Sequence, residues 1–225
     1  MCDLEKYNKE GYILCKNVYT EQELDEIAQE IRTYVKNNRN KVFGSAEGVS
    51  IPDFIGRHNL PITHKMKDNA KVHEALCVIF GGNNYRFCSH NDIGVNRVVG
   101  WHKDKLNGDV EIYQVHNIWK EHEGEKHEIV KVLTYLEDHS EDTDGLTVVP
   151  GSHLKAEINA AGAIQLRPKK GDVIIFDQRI THRGMERQCK DSRILVSVGF
   201  GKKNIFTDEF EKGTMVRQNR QNVVK

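Results

Sequence analysis

Hydrophobic and polar positions divide the chain into a helical first part and a strand-rich second part. Residues 11–18 mix aliphatic and aromatic side chains and predict a short strand. A Thr-x-x-Glu capping pattern then begins an apolar stripe at helical spacing, which predicts a helix to about residue 37. Residues 40–68 are rich in turn formers and predict a long irregular connection, and 69–80 predict a second helix.

From Tyr85 onward the pattern changes to short segments rich in Val, Ile, Tyr and Phe, separated by turn clusters. The predicted strands are 85–99, 110–119, 127–137, 145–150, 163–167, 172–177 and 193–200. Helices followed by a run of strands favour a mainly β fold with flanking helices, built as an antiparallel sandwich or barrel. The polar residues 202–225 predict a C-terminal tail that frays.

Composition narrows the class of protein further. The 225 residues fit one domain, 1–225, with a core over about 7–201. Lys plus Arg and Asp plus Glu each number 33, so the net charge is zero and favours neither nucleic acid nor a membrane surface as partner. No apolar run reaches the roughly 18 residues of a membrane span. Five scattered cysteines without a CxxC pair, and a start without signal-peptide character, favour the cytoplasm.

The first chemical signal is Trp101-His102-Lys103-Asp104. Alternate side chains of an extended strand share a face, so His102 and Asp104 are expected to point the same way. An imidazole and a carboxylate at that spacing form two thirds of a facial triad for non-haem iron(II). The triplet is too short to decide alone, because His90-Asn91-Asp92 has the same form.

His182 and Arg193, which lie further along the chain, add to this signal. Thr181-His182-Arg183-Gly184 follows a buried strand that begins at Gly171-Asp172, and a histidine at a strand end can reach into a barrel mouth. Arg193 comes eleven residues later, and an arginine directed into such a cavity requires a carboxylate or a similar anion. The dicarboxylate 2-oxoglutarate would meet that requirement.

Several segments resemble the phytanoyl-CoA dioxygenase family. The matching pieces, besides the residues around His102, His182 and Arg193, are Gly11-Tyr-Ile-Leu14 with Thr20-Glu-Gln-Glu-Leu24, Val132-Leu-Thr-Tyr-Leu-Glu-Asp138, Gly145-Leu-Thr-Val-Val-Pro-Gly-Ser-His153 and Lys170-Gly-Asp-Val-Ile-Ile-Phe176. They span about residues 7–201 in order, and the segment 145–153 is the most specific of them.

The resemblance implies a double-stranded β-helix, that is, a cupin-like jelly roll, with His102, Asp104 and His182 as catalytic metal ligands. Arg193 is implied as the anchor of the 2-oxoglutarate carboxylate. The implied cofactors are Fe(II), 2-oxoglutarate and O₂, with release of succinate and CO₂. Because Asp104 is a carboxylate and not a small residue, the resemblance implies hydroxylation, desaturation or ring chemistry of a small-molecule substrate, and not halogenation.

The resemblance also places the family's metal pair after the strand that carries His90 and Asp92, so these two are expected to be strand or turn residues. A second 2-oxoglutarate contact is expected on that strand. Asn91 and Asn96 are the candidates, and Asn91 is preferred. Ser197 shares a face with Arg193 in an unbroken strand and faces either the cavity or the outside.

Two other functional classes stay open, a cupin-like metal-binding module and a zinc-dependent hydrolase. Arg193 favours neither of them. The substrate pocket is expected to be formed by Lys105 and by a lid from 40–68, and Trp101 is expected to pack or to wall the pocket. The lid residues proposed for it are Arg57, His58 and Asn59. For Lys105 and Arg57 a position as solvated surface charges stays an equal alternative. His153 is expected to support its loop, Trp119 to pack, and the three histidines His116, His122 and His127 to lie at an exposed hairpin end.

Overall fold

Ten strands and five α-helices lie within the residues that the computed structural model describes, namely 3–44, 48–138, 145–184 and 193–221. The strands are β1 (Tyr12–Cys15), β2 (Phe43–Gly44), β3 (Val49–Pro52), β4 (Tyr85–Val95), β5 (Ile129–Tyr135), β6 (Thr147–Val148), β7 (Ile164–Gln165), β8 (Val173–Asp177), β9 (His182–Arg183) and β10 (Ile194–Lys202). The α-helices are α1 (Leu4–Glu10), α2 (Glu21–Asn37), α3 (Phe54–Arg57), α4 (Ala70–Phe80) and α5 (Ile205–Gln221). Short 3-10 helices cover Arg39–Lys41, Thr63–Asp68, Gly108–Tyr113 and Ser152–Leu154.

The strands form two antiparallel sheets of unequal size. The larger sheet has the order β1-β8-β5-β10-β4-β3-β2, and the smaller has the order β7-β6-β9. Alternate side chains of β5 and β8 point to opposite faces of the larger sheet. Leu133, Ile174 and Phe176 pack against Leu146 and Val148 of the smaller sheet. The predicted double-stranded β-helix with flanking helices is therefore confirmed.

The opposite face of the larger sheet is covered by helices. Helix α2 begins with the predicted capping box, since Thr20 Oγ1 accepts a hydrogen bond from Glu23 N and the Glu23 carboxylate accepts one from Thr20 N. The apolar stripe of α2 and one side of α4 bury against Val132, Val196 and their neighbours in the largest core cluster. This helical layer leaves the other face of the sheet for the cavity.

The predicted irregular connection over 40–68 is wrong in part. Strand β3 pairs with β4 in the larger sheet, and α3 and the 3-10 helix Thr63–Asp68 follow it. Strand β3 is four residues long and buried throughout, so it shows no alternation of polar and apolar residues that would reveal it.

The strand predicted over 110–119 is also wrong. The 3-10 helix Gly108–Tyr113 begins the segment, and no strand lies in it. The apolar residues there do not alternate between two faces, since Ile112 and Val115 are largely exposed, whereas Val110 and Ile118 are buried.

The C-terminal segment corrects the prediction of a fraying tail. Strand β10 runs to Lys202, and α5 then covers Ile205–Gln221. Helix α5 buries Phe206 and Phe210 together with Thr, Glu, Gly and Gln residues, so its buried face carries no continuous apolar stripe. None of the described helices has the length and apolar character that crossing a bilayer requires.

Candidate metal centre and cavity

A pair of backbone hydrogen bonds joins the two segments that carry His102 and His182. His102 N donates to His182 O at 2.9 Å, and His182 N donates to His102 O at 3.0 Å. His182 begins strand β9, whereas His102 lies outside any strand and makes an isolated bridge to it. This bridge places the two imidazole rings side by side, with centroids 4.2 Å apart.

Alternation along the backbone directs Asp104 to the same side as His102. Asp104 N donates to Gln178 O at 2.9 Å. The intervening Lys103 points away, because its ammonium donates to Ser152 O at 2.7 Å and Arg179 O at 2.6 Å. The three predicted metal-site residues therefore meet, although the triplet is not part of a regular strand.

The hydrogen bonds of the imidazoles determine which nitrogen faces the carboxylate. Nδ1 of His102 lies 2.7 Å from Gly100 O, and Nδ1 of His182 lies 3.1 Å from Ile180 O. A carbonyl oxygen can only accept, so both Nδ1 atoms carry a proton, and in the neutral rings both Nε2 atoms present a lone pair. They face Asp104, with His102 Nε2 3.4 Å from Oδ1 and His182 Nε2 3.3 Å from Oδ2.

The donor set fits a divalent metal ion. The potential ligand atoms of the three residues lie within 4.8 Å of one another, and no other such group occurs among the described residues. Asp104 Oδ2 is buried and has no hydrogen-bond donor, since the approach of His182 Nε2 brings no proton in this tautomer. A buried carboxylate oxygen without a donor is costly unless a cation satisfies it.

Electrostatics keep this carboxylate ionised. Burial alone would raise the pKa of Asp104, but the Lys131 ammonium holds it well below its usual range. Lys131 Nζ lies 2.9 Å from Asp104 Oδ1. Burial lowers the pKa of His182, whereas for His102 the effect of burial is outweighed by the Asp104 carboxylate, which raises its pKa. The triad therefore offers a metal ion the anionic oxygen of Asp104 and the neutral imidazole of His182.

The triad lines a cavity of about 530 Å³ on the inner face of the larger sheet. Arg193, directly before β10, also lines it and is only 7% exposed. Its guanidinium lies over the Tyr135 ring, 4.6 Å from the centroid. Ser197 faces the same cavity, four residues along the strand. The predicted anion anchor therefore shares one cavity with the predicted metal ligands.

Asn91, the preferred second 2-oxoglutarate contact, does not line this cavity. It pairs with Val198 of β10 and faces the helical layer. Its Oδ1 accepts a hydrogen bond from Ile55 N at 2.6 Å, and its Nδ2 donates to Asp53 Oδ1 at 3.1 Å. The structure therefore places Asn91 away from the cavity that holds His102, Asp104 and His182, because the opposite parity of β4 points inward. The alternative, Asn96, is a turn residue whose Oδ1 accepts from the backbone N–H of Arg193 at 2.7 Å.

His90 and Asp92 lie on strand β4 as expected, but they face the cavity. Arg217 of α5 donates to Asp92 Oδ2 at 2.8 Å and lies 3.4 Å from His90 Nδ1. Helix α5 therefore forms a wall of the cavity, although the sequence predicts a fraying tail in this segment. Phe206 and Phe210, four residues apart, are the one helical signal in the sequence, and the polar residues buried beside them hide the rest of the face.

The predicted pocket residues separate into two groups. Lys105 lines the cavity, whereas Trp101 packs under the Arg183 guanidinium at 5.0 Å. Arg57 and Asn59 line a separate surface groove beside α2. His58 is buried against Tyr34 Oη at 2.7 Å. The expectation that 40–68 covers the cavity is therefore wrong for these residues, because the segment packs on the other face of the sheet. Of its described residues, Ser50 alone reaches the cavity.

The remaining histidines have structural partners. His153 is buried, and its Nε2 lies 3.1 Å from Asn8 O, in agreement with a role in its loop. His116 contacts Glu209 of α5, 2.5 Å from Nδ1 to Oε1. His127, which the sequence predicts at an exposed hairpin end, is instead 2% exposed, and its Nε2 lies 3.2 Å from Gln178 Nε2. Trp119, which is expected to pack, lies under the Lys103 ammonium, with Nζ 5.3 Å from the ring centroid.

An antiparallel double-stranded β-helix with two imidazoles and one carboxylate converging in its cavity is typical of non-haem iron(II) oxygenases. The family model for phytanoyl-CoA dioxygenase (PhyH) matches residues 7–195. The chain therefore belongs to the phytanoyl-CoA dioxygenase family. The comparison with curated proteins finds no significant match.

Solved structures similar to this chain share its fold at low sequence identity. HygX from Streptomyces hygroscopicus, with nickel, 2-oxoglutarate and hygromycin B bound, is 15% identical with a TM-score of 0.68, covering 89% of this chain and 86% of its own. The non-heme alpha-ketoglutarate-dependent carbocyclase SnoK from nogalamycin biosynthesis is 15% identical with a TM-score of 0.67, covering 88% and 82%. AviO1 from Streptomyces viridochromogenes Tue57 is 13% identical with a TM-score of 0.67, covering 89% and 93%.

Proposed function

We propose that the protein is an Fe(II)- and 2-oxoglutarate-dependent dioxygenase that hydroxylates a carbon of a small-molecule substrate. The observation that carries this proposal is the convergence of His102, His182 and the donor-free oxygen of Asp104 in a cavity that also contains Arg193. When bound, iron, 2-oxoglutarate and O₂ would supply the oxidation, with one oxygen atom entering the substrate and the other entering succinate as CO₂ leaves.

The residues of the chain have distinct tasks in this proposal. His102, Asp104 and His182 hold the metal, and the Nδ1 hydrogen bonds fix the imidazole orientation. Arg193 binds the far carboxylate of 2-oxoglutarate, because a buried guanidinium matches a carboxylate with paired hydrogen bonds. Phe176, whose ring centroid lies 4.8 Å from that of His182, helps to exclude water from the metal.

The substrate is proposed to be a small molecule, which is supported by the hygromycin B bound to HygX and by the role of SnoK in nogalamycin biosynthesis. Two similar structures catalyse other reactions, since SnoN is an epimerase and SnoK is a carbocyclase. For this chain, hydroxylation is the proposed outcome. The described cysteines are free thiols, which suits a cytoplasmic location.

The test is an anaerobic titration of the protein with Fe(II) and 2-oxoglutarate. We expect a weak visible absorption band that requires both components. His182→Ala should abolish it, because one of three ligands is lost. The matched control is His122→Ala, since the His122 side chain is partly exposed and lies outside the cavity, and this variant should retain the band.

A second assay identifies the reaction. Succinate release is measured in a screen of amino acids, small acids and acyl thioesters under air, and products are analysed by mass for an added oxygen atom. Tight zinc binding with no band in the wild type and no succinate release would contradict the proposal and favour a zinc hydrolase. Metal binding without any effect of 2-oxoglutarate would favour a cupin-like binding module.

A further inference from the structure

Lys131 is the one charged residue within strand β5, and its side chain is 11% exposed in the cavity. Its ammonium forms an ion pair with Asp104 Oδ1 at 2.9 Å. Its neighbours across the sheet, Gly199 in β10 and Phe176 in β8, offer no side-chain acceptor. An ammonium has three N–H donors. The ion pair with Asp104 therefore leaves donors of Lys131 available to a ligand in the cavity.

Lys131 and Arg193 enter the cavity from different ends. Lys131 pairs with Gly199, whereas Tyr135, four residues further along β5, pairs with Leu195. The Arg193 guanidinium lies over Tyr135. Four residues of strand correspond to about 13 Å along the sheet. Lys131 is therefore separate from the proposed anchor of the far carboxylate.

The charges change when a divalent metal binds Asp104. In the metal-free cavity, Lys131 and Asp104 neutralise each other. A metal that takes Asp104 as a ligand is a second cation close to the Lys131 ammonium. Two like charges repel each other there, because the Lys131 side chain is only 11% exposed and little water screens it. The metal and the Lys131 ammonium both attract an anion that binds to the metal. Lys131 should therefore oppose the binding of the metal and favour the binding of the anion.

We propose that Lys131 sets the charge of the metal site. It is the counter-ion of Asp104 before the metal binds, and it binds the metal-bound carboxylate of 2-oxoglutarate afterwards. This role rests on the proposed function for the identity of the anion. It differs from that of a structural ion pair, which would contribute to folding and leave the affinities of both ligands unchanged.

The experiment measures two affinities in four proteins. Mn(II) binding to the metal-free protein is followed by the electron paramagnetic resonance of free Mn(II), and 2-oxoglutarate binding to the Mn(II)-loaded protein is followed by calorimetry. The variants are Lys131→Met, which removes the charge, and Lys131→Arg, which keeps it. The matched control is Lys202→Met, because Lys202 forms an ion pair with Glu128 at 2.9 Å in the same sheet but does not line the cavity.

For Lys131→Met we expect Mn(II) affinity to rise about tenfold and 2-oxoglutarate affinity to fall about tenfold. Lys131→Arg and Lys202→Met should stay near the wild type in both. Changes of the two affinities in the same direction, or no change in either, would overturn the proposal. Circular dichroism checks folding, and Lys131→Gln replaces Lys131→Met if the latter does not fold.

The two proposals fail in different ways. If wild-type protein loaded with Mn(II) does not bind 2-oxoglutarate, the proposed function fails. The Mn(II) measurement still tests Lys131 in that case, since an unchanged or weakened Mn(II) affinity in Lys131→Met overturns the charge role by itself.

Discussion

At the scale of single residues, the two imidazoles of the proposed metal site are held by the same local hydrogen bond. Each Nδ1 donates to the carbonyl two residues earlier, Gly100 for His102 and Ile180 for His182. The backbone thus orients each ring before any ligand is present. Such preorganisation reduces the conformational entropy lost on binding.

Arg193 provides a prediction at this scale. Replacing it by Met removes the guanidinium that is proposed to bind the far carboxylate of 2-oxoglutarate. A hydrogen-bonded charge pair contributes about 1.5–3 kcal/mol, so the dissociation constant for 2-oxoglutarate should rise by about 10- to 150-fold. Calorimetry on Mn(II)-loaded protein measures this constant, and Mn(II) binding by itself should change little.

Asn91 is the matched comparison for Arg193. Asn91→Ala should leave 2-oxoglutarate affinity unchanged, because the side chain faces the helical layer. It should lower the free energy of unfolding by about 1–3 kcal/mol, since Ile55 N–H and Asp53 lose a buried partner. Urea denaturation measures the loss. If Asn91→Ala binds 2-oxoglutarate more weakly while its free energy of unfolding is unchanged, the structural role of Asn91 is contradicted.

At the scale of elements, a bulge in β4 directs residues toward the cavity wall. Between the pairs Val198–Asn91 and Phe200–Phe87, residues 88–90 of β4 lie opposite Gly199 alone. Ser89 has a positive φ of 58°, and its Oγ donates to Glu211 of α5 at 2.6 Å. Bulges of this kind bend a strand and redirect its side chains. The bulge therefore helps to dock α5 beside the cavity.

Gly199 provides the prediction for this element. A Cβ at position 199 would lie 2.9 Å from both Cys88 Sγ and His90 Cβ, and neither buried residue has room to move. Gly199→Ala should therefore destabilise the protein by about 1–3 kcal/mol through overpacking. Gly100→Ala is the control, since nothing lies within 4 Å of its added Cβ. Equal unfolding midpoints in urea for the two variants would show that the bulge accommodates the methyl group.

The elements also show which parts of the fold the sequence predicts. Helix α2 has a capping box and an apolar stripe, so propensity and burial agree. Helix α5 buries Thr207, Glu209 and Gln218 beside its two phenylalanines, and a search for apolar periodicity misses such a face. Strand β3 is too short and too uniformly buried to show a period.

The same limits apply to the candidate site. His102 and Asp104 could be placed together because two residues of extended backbone always return to the same side. Asn91 could not be placed, because a strand has two faces and the sequence of β4 does not show which one is inward. Lys131 could have been noticed as a lone charge within an apolar strand, but its partner Asp104 is distant in sequence and becomes visible only in the fold.

At the scale of the whole molecule, two buried histidines make stability depend on pH. Burial first, and then the Lys131 charge, lowers the pKa of His90 to about 3. Burial first, and then the Arg179 charge, lowers the pKa of His127 to about 3. Both are neutral in the folded protein and take up a proton on unfolding once the pH is below about 6.5. Acid therefore favours the unfolded state in this window.

The expected effect is a loss of about 1.4 kcal/mol of unfolding free energy per pH unit for each of these two histidines below about pH 6.5. Between about pH 7 and about pH 5 the two together should cost about 4 kcal/mol. Urea denaturation across this range measures the loss. His127→Gln should reduce the pH dependence by about half, and an unchanged dependence in this variant would contradict the buried neutral state of His127.

The position of helix α5 has a consequence for how such an enzyme can diversify. The helix walls the cavity with Phe210, Thr214 and Arg217, yet all three proposed metal ligands come from earlier segments of the chain. Mutations on its inner surface can therefore reshape what the cavity accepts without disturbing the residues proposed to activate oxygen. Part of the cavity wall therefore comes from a stretch of the polypeptide that carries none of the proposed metal ligands, which gives a lineage a route to new substrates with the same chemistry.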